Sequence, residues 1–163
     1  MTDASASAHV VGLISDTHGL VRPDVHTALA GVELILHAGD VGGGDVLDEL
    51  QLIAPVRAVQ GNTDPPDDRR TPPSIDTDIG GLRIHVSHGH EVGAPTPDKL
   101  LERYDADVIV YGHTHKQVIA NVGSRWVVNP GAAGPRRFDL LPTVAKMVVH
   151  EGRVAVEIID LAP

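Results

Sequence analysis

The sequence predicts an α/β fold made of two β-sheets with flanking helices. Short runs rich in Val and Ile recur along the 163 residues, each closed by a polar or glycine cluster. The first three runs are separated by stretches with helical spacing. That β-α-β-α-β series implies a parallel sheet with right-handed crossovers. From Gln117 onwards, strand and turn patterns follow one another with no helix between them, which reads as an antiparallel meander.

The first strand is VVGLIS, ending at Asp16. Pro23 to Ala30 reads as a short helix with proline in its first turn, where a missing N–H costs nothing. VELILHA (32–38) is a second strand, stopping at Gly39-Asp40. Between Asp45 and Ile53 the residues Val46, Leu47, Leu50 and Ile53 share one helical face. VRAVQ (56–60) is a third strand, closed by Gly61-Asn62. DPPDDRRTPP (64–73) is a stiff, charged loop whose prolines forbid sheet pairing. LRIHVSH (82–88) is a strand, residues 97–104 form a helix with Asp98 in its first turn, and VIVYGHTH (108–115) is a strand ending in histidines. VIANV, RWVVN, VAKMVVH and VAVEIID complete the pattern, with hairpin turns at Gly123 and at Glu151-Gly152. The length fits a single domain spanning 1–163, with residues 1–8 frayed.

Composition narrows the function. There is no cysteine, so disulfides and thiolate metal sites are out. The formal net charge of −9 opposes an extensive nucleic-acid surface, which needs clustered Lys and Arg. The apolar run from Val10 to Ile14 is too short for a signal peptide or a membrane span, so no membrane association and a cytoplasmic location are expected. The chain has ten histidines but only one Trp, two Tyr and one Phe. Its core must be packed by aliphatic residues, and its histidines need partners, because burying an unpaired polar ring is costly.

Metal-ligating residue types fall at the carboxyl ends of successive apolar strands: Asp16 and His18, Asp40, Asn62 and Asp64, His88, His113 and His115. In open α/β sheets that edge is where ligands bind. Each piece alone is weak. Asp-x-His arises by chance about once in a chain of this composition, and a second copy occurs at Asp24-Val25-His26. That copy lies within the predicted first helix, where residues i and i+2 point apart. Asp16 and His18 sit beyond a strand end, where they can share a face. The ordered set of strand ends carries the signal.

These segments, DTH at 16–18, GD at 39–40, GNTD at 61–64, SHGH at 87–90 and GHTH at 112–115, resemble the signature of the calcineurin-like metallophosphoesterases. The short chain and NPGAAGPRR at 129–137 resemble the YfcE-type phosphodiesterase branch, which also includes a retromer subunit of the same fold. The resemblance spans about residues 10 to 160. It implies a four-layer αββα sandwich of two mixed β-sheets flanked by helices, with the site at one sheet edge. It further implies two divalent transition metal ions, Mn foremost, with Fe, Ni or Zn as alternatives. One ion would be held by Asp16, His18, Asp40 and His115, the other by Asp40, Asn62, His88 and His113, with Asp40 bridging. Carboxylates, imidazoles and an amide suit such ions better than Mg or Ca. A metal pair of this kind clamps a phosphate and supplies a nucleophile at neutral pH. A small phosphodiester is the expected substrate, with Asn62, His90, Arg136 and Arg137 as candidate binding residues.

One departure stands out. Many relatives place histidine between the Asn and Asp of GNTD, whereas this chain has Thr63. The competing expectation is therefore a non-catalytic metal-binding scaffold or interaction module. Retention of all seven ligand positions favours the enzyme. A nuclease is disfavoured by the acidic charge. Asp64 reads as structural, His37 as either structural or orienting, and His9, His26, His85 and His150 as surface or strand histidines. Val- and Ile-rich strands in the second half offer edges for a homodimer.

Overall fold

The computed structural model describes residues 7–137 and 139–162. The expectation of a frayed start concerns residues 1–8, of which 1–6 lie outside the described range. Ten strands form two five-stranded sheets. In the first sheet, β1 (His9–Ile14), β2 (Leu34–His37) and β3 (Val56–Ala58) run parallel. The linking helices α1 (Pro23–Ala28) and α2 (Gly44–Leu50) lie in the stretches read as helical; α2 begins at Gly44, just before Asp45, and both end earlier than read.

In the second sheet, β5 (Leu82–Ser87), β6 (Val108–Val110) and β8 (Arg125–Asn129) are parallel. β4 (Ser74–Ile79) and β7 (Val118–Val122) run antiparallel to their neighbours at the two edges. Helix α3 (Pro97–Arg103) starts at Thr96, whose Oγ1 accepts the Lys99 amide proton at 3.3 Å. β9 (Thr143–His150) and β10 (Arg153–Asp160) return to the first sheet, where β9 pairs antiparallel with β1.

Strand alternation sorts the core into layers. Val11, Leu13 and Leu36 of the first sheet meet Ile84, Val86, Val108 and Val128 of the second in a central aliphatic layer. Ile14 and Ile35 face the other way and pack against Val25, Leu29, Val46, Leu47 and Leu50 of the α1–α2 side. Ile109, Tyr111 and Val127 take the outer face of the second sheet beneath Leu100 of α3. The result is the αββα sandwich, its buried central layer aliphatic and Trp126 packed, partly buried, against it. No described helix is long and apolar enough to cross a membrane.

One strand has no counterpart in the sequence pattern, and one expectation is corrected. β4 follows the proline loop directly, in a stretch where no element is expected. The second half is not one meander. β6 and β8 pair in parallel, and the last hairpin belongs to the other sheet. β9 is buried at Val144 in the helix-side layer and at Ala145, Met147 and Val149 in the central one, and it lies inside the first sheet between β10 and β1. The hairpin turns themselves lie where glycine predicts them. Glu151 and Gly152 both have positive φ, 52° and 76°, the pairing that matches the twist of a two-residue hairpin.

A cleft of about 550 Å³ on the second sheet is lined by Asp76, Asp78, Arg83, His85 and Tyr104 and contains none of the strand-end residues. His85, read as a surface or strand residue, is buried there. Its Nδ1 lies 2.8 Å from Asp76 Oδ1 and its ring stacks on Tyr104 at 3.8 Å.

The end of α3 depends on one side chain. Arg125 donates to the carbonyls of Ala106 at 2.9 Å, Leu101 at 3.0 Å and Tyr104. These acceptors include helix-end groups with no partner in the next turn. Arg125→Met is expected to cost about 2–3 kcal/mol, since it strands partly buried carbonyls rather than removing a surface charge. Urea unfolding of the two proteins measures it.

Candidate metal centre

The parallel strands of both sheets end at the same edge, and the predicted residues lie immediately beyond them. Backbone geometry marks the place. Asp16, His18, Asp40, His113 and His115 all have left-handed φ, between 46° and 72°. Among described non-glycine residues only Glu151, in its hairpin turn, shares this property. Such a conformation costs roughly 1–2 kcal/mol per residue for an L-amino acid, and Asp and His are among the types that tolerate it. It persists where surrounding contacts over-determine it, commonly at functional sites.

Those contacts are backbone bonds between neighbouring strand-end loops. Asp16 N donates to Gly39 O at 3.0 Å and His18 N to Asp40 O at 3.0 Å. Gly112 N donates to His88 O at 3.0 Å, joining the β5 and β6 ends. Close approach sets two residue identities. A Cβ on Gly61 would run into the Asp40 carboxylate, and one on Gly112 would run into Ser15 Oγ.

Asp16 is the centre of the cluster and is fully buried. Its Oδ2 accepts from Ser15 Oγ at 2.6 Å and from His113 N at 3.1 Å. Its Oδ1 has no hydrogen-bond donor and faces His115 Nε2 at 3.4 Å, His18 Nε2 at 3.8 Å and His88 Nε2 at 3.9 Å. Asp40 Oδ1 accepts from Thr63 N at 3.0 Å, while its Oδ2 lies 3.3 Å from His88 Nε2 and 3.6 Å from His18 Nε2. His88 Nδ1 donates to Ala38 O at 2.7 Å, which leaves the Nε2 lone pair facing the carboxylates. His113 Nδ1 lies 3.2 Å from Asn62 Oδ1, and its ring meets that of His88 edge-on at 5.1 Å.

Two sets of donor atoms converge: Asp16, His18 and His115, and Asp16, Asp40 and His88. Asp16 is common to both, and Asp40 Oδ2 lies between His18 and His88, one member of each set. Asn62 and His113 adjoin the second. His90 is exposed on its rim, with its ring 5.4 Å from His88 and 6.2 Å from His113. Arg136 and Arg137 are exposed.

The donor set fits a cation. Asp16 Oδ1, His18 Nε2 and His88 Nε2 are buried without hydrogen-bond partners, an arrangement that is costly unless positive charge fills it. The protonation equilibria point the same way. Burial works to raise the Asp16 carboxyl, but the nearby His115, the charge of His88 and the Ser15 hydroxyl hold it below its ordinary value. Burial opposes Asp40 ionisation too, and His88 and Thr63 overcome it. Burial depresses the His88 imidazolium, yet its closeness to Asp40 and the charges of Asp16 and Asp40 raise it. Burial lowers His113, helped by the charge of His88.

Ser15 and Thr17 support the site with no signal of their own in the sequence. Asn129, where the NPGAAGPRR segment begins, donates through Nδ2 to Gly112 O and Thr114 Oγ1, both at 3.1 Å, and so props the GHTH loop from the end of β8. Asp64, read as structural, accepts from the amides of Val41, Gly42 and Gly61 at 2.8–3.2 Å and locks the loops that carry Asp40 and Asn62. Asp24 and His26 do not converge: Asp24 accepts from Ala162 N, and His26 pairs with Glu49.

His37 accepts from Gly39 N at 3.1 Å through Nδ1, so its Nε2 proton goes to Thr17 Oγ1 at 2.9 Å, which donates on to Val41 O at 2.7 Å. This buried chain serves the ligand loops with a neutral imidazole. Burial pushes the His37 pKa down to about 4 from 6.5. Above pH 6.5 neither folded nor unfolded protein protonates it. Between 6.5 and 4 the unfolded chain binds the proton and the folded one does not, so stability falls with pH. The loss attributable to His37 is expected to be about 3 kcal/mol. Denaturant unfolding at pH 7 and pH 4, compared between wild type and His37→Gln, reads it as a shallower pH dependence in the variant.

The comparisons with known proteins agree with this geometry. A family model described as the calcineurin-like phosphoesterase superfamily domain matches residues 10–152. A probable metallophosphoesterase of Methanothermobacter thermautotrophicus is 37% identical over 161 residues, covering 92% of this chain and 91% of that protein. The phosphodiesterase MJ0936 of Methanocaldococcus jannaschii is 28% identical over 139 residues, covering 74% of this chain and 82% of that one. Vacuolar Protein Sorting 29 from Cryptosporidium parvum shares the fold, with a TM-score of 0.79 at 23% identity over 96% of this chain and 99% of its own. With the strand-end cluster at its expected edge and similarity along nearly its whole length, the chain belongs to the calcineurin-like phosphoesterase superfamily.

Proposed function

We propose that the protein is a metal-dependent phosphodiesterase that hydrolyses a small phosphodiester to a monoester and an alcohol. The observation that carries this reading is the buried Asp16 Oδ1, without a hydrogen-bond donor and ringed by the Nε2 atoms of three histidines. Asp16, His18, Asp40 and His115 would hold one divalent transition metal ion, and Asp40, Asn62, His88 and His113 a second, with Mn the first choice over Fe, Ni and Zn. When bound, the ions would neutralise charge on the phosphoryl group and supply a nucleophile at neutral pH.

The residues of the chain prepare that chemistry. Ala38 O fixes the His88 tautomer, and Ser15 and His113 N orient the Asp16 carboxylate. Asn62 and His113 hold each other at the rim. Hydrolysis forms a P–O bond from water and breaks the bond to the leaving alkoxide, which takes up a proton. His90, beside His88 and His113, is the candidate donor. Thr63 brings no acid where many relatives have histidine, and its amide is engaged by Asp40. With the exposed His90 alone in that role, proton delivery is weak, and esters with good leaving groups are the preferred substrates. Thr63 is also what favours the second reading, a non-catalytic scaffold that keeps its ions.

Metal-stripped protein refilled with Mn is expected to hydrolyse an aryl phosphodiester faster than the matching monoester. His88→Ala and Asn62→Ala should each lower kcat at least 100-fold. Two bound ions without turnover of either ester would favour the scaffold, and failure to bind ions would remove the ligand assignment. Thr63→His is expected to raise kcat on diesters with poor leaving groups by roughly 100-fold, the lower range of general-acid catalysis, with little change for aryl esters. Steady-state kinetics over a leaving-group series decides it.

A further inference from the structure

The two sheets have four edge strands, and β10 is the longest of them. It runs for 8 residues, against 3 in β3, 5 in β7 and 6 in β4. An open strand edge is a template for another chain, and proteins blunt such edges with proline, lysine, bulges or inward-pointing charge. β10 has no proline and no lysine, and it pairs with β9 residue for residue along its whole length.

Its side chains alternate. Val154, Val156 and Ile158 pack, partly buried, against the central aliphatic layer, while Arg153, Ala155 and Glu157 are exposed on the other face. Among the described residues, neither Arg153 nor Glu157 has an ion-pair partner. Lys146 stands opposite Glu157 in the β9–β10 register, yet its Nζ donates to Ala30 O at 3.4 Å.

Backbone geometry limits how a second chain can add. The turn at Glu151-Gly152 joins the paired residues His150 and Arg153, so the Arg153 amide points towards β9, as do those of Ala155 and Glu157. The N–H and C=O groups of Val154, Val156 and Ile158 point outward. Two copies of β10 pairing antiparallel about a twofold axis must therefore match even-numbered residues with even-numbered ones. An axis through Arg153 or Glu157 sets like charges opposite each other. An axis through Val154 or Val156 leaves both charges without an opposite partner. An axis through Ala155 sets Arg153 opposite Glu157 twice, and Val154 opposite Val156 on the core-facing side.

We propose that the protein forms a twofold homodimer in which β10 pairs antiparallel with β10 of a second copy, centred on Ala155. This is an isologous contact, in which each charged residue meets its complement on the partner. The first sheet becomes continuous across the two copies. The strands of one copy run opposite to those of the other, so the two candidate metal centres open at opposite edges of the dimer.

Sedimentation equilibrium of the full chain at low ionic strength is expected to show a concentration-dependent dimer. Glu157→Arg and Arg153→Glu each turn two attractive pairs into repulsive ones, and each should raise the dimer Kd about tenfold or more. Mixed one to one, these two variants restore both pairs across the axis, and the heterodimer should match wild type. Both positions are exposed, and circular dichroism checks that each variant is folded. The chain has no cysteine. Ala155→Cys therefore places one thiol on the axis and should cross-link under mild oxidation faster than Leu52→Cys, a control at another exposed position. Wild type that stays monomeric overturns the proposal and leaves the edge to a different partner. A dimer that tolerates both single reversals, a mixture that does not recover, or Ala155→Cys cross-linking no faster than the control overturns it as well.

Discussion

The buried carboxylate of Asp16 is the point on which both sheets depend. Its backbone amide joins the β2 end through Gly39, its carbonyl receives Gly134 from beyond β8, and its Oδ2 receives His113 from beyond β6. Loops from both halves of the sandwich thus meet on one residue, whose remaining oxygen is kept without a donor. That oxygen is desolvated and surrounded by imidazole nitrogens. In a low-dielectric interior such an arrangement is unfavourable without added positive charge. The fold supplies rigidity at this edge, and the chemistry of the edge calls for cations.

The strand-end cluster was legible in the sequence because two local signals coincide there, an apolar β-branched run and an abrupt polar stop. Asp16, His18, Asp40, Asn62, His88, His113 and His115 stand at such stops, and the fold brings them to one edge. The support around them was not legible. Ser15 and Thr17 act through bonds to a carboxylate, a ring and a carbonyl, and although Asn129 stands in a segment the sequence singles out, its bonds cross 15 residues or more. No periodicity marks such partners. β4 was hidden for a different reason. Its alternation puts Ile75 and Ile79 inward and acidic residues outward, at a sheet edge, directly after prolines that read as a loop.

Topology in the second half was obscured because a hairpin looks the same whichever sheet receives it. β9 sits between β10 and β1, and its sequence, with Lys146 and His150 on one face, carries no mark of that place. The separation of donor atoms into sets is also three-dimensional. That Asp16 is common to both sets follows from where β5 and β6 end relative to β1, and the sequence order of the ligands holds nothing of it.

The left-handed backbone at five ligand positions links the site to the history such a fold can have. These residues are held in a conformation that glycine adopts freely, and Asp and His only at a cost. A chain that replaced them with glycine would give up ion binding while relieving local strain, and its aliphatic layers would be untouched. Ion binding and the packing of the aliphatic layers thus make separate demands here. A protein with this architecture could shed its metal-binding side chains and persist as a stable surface for other molecules, provided the backbone bonds between its strand-end loops are kept.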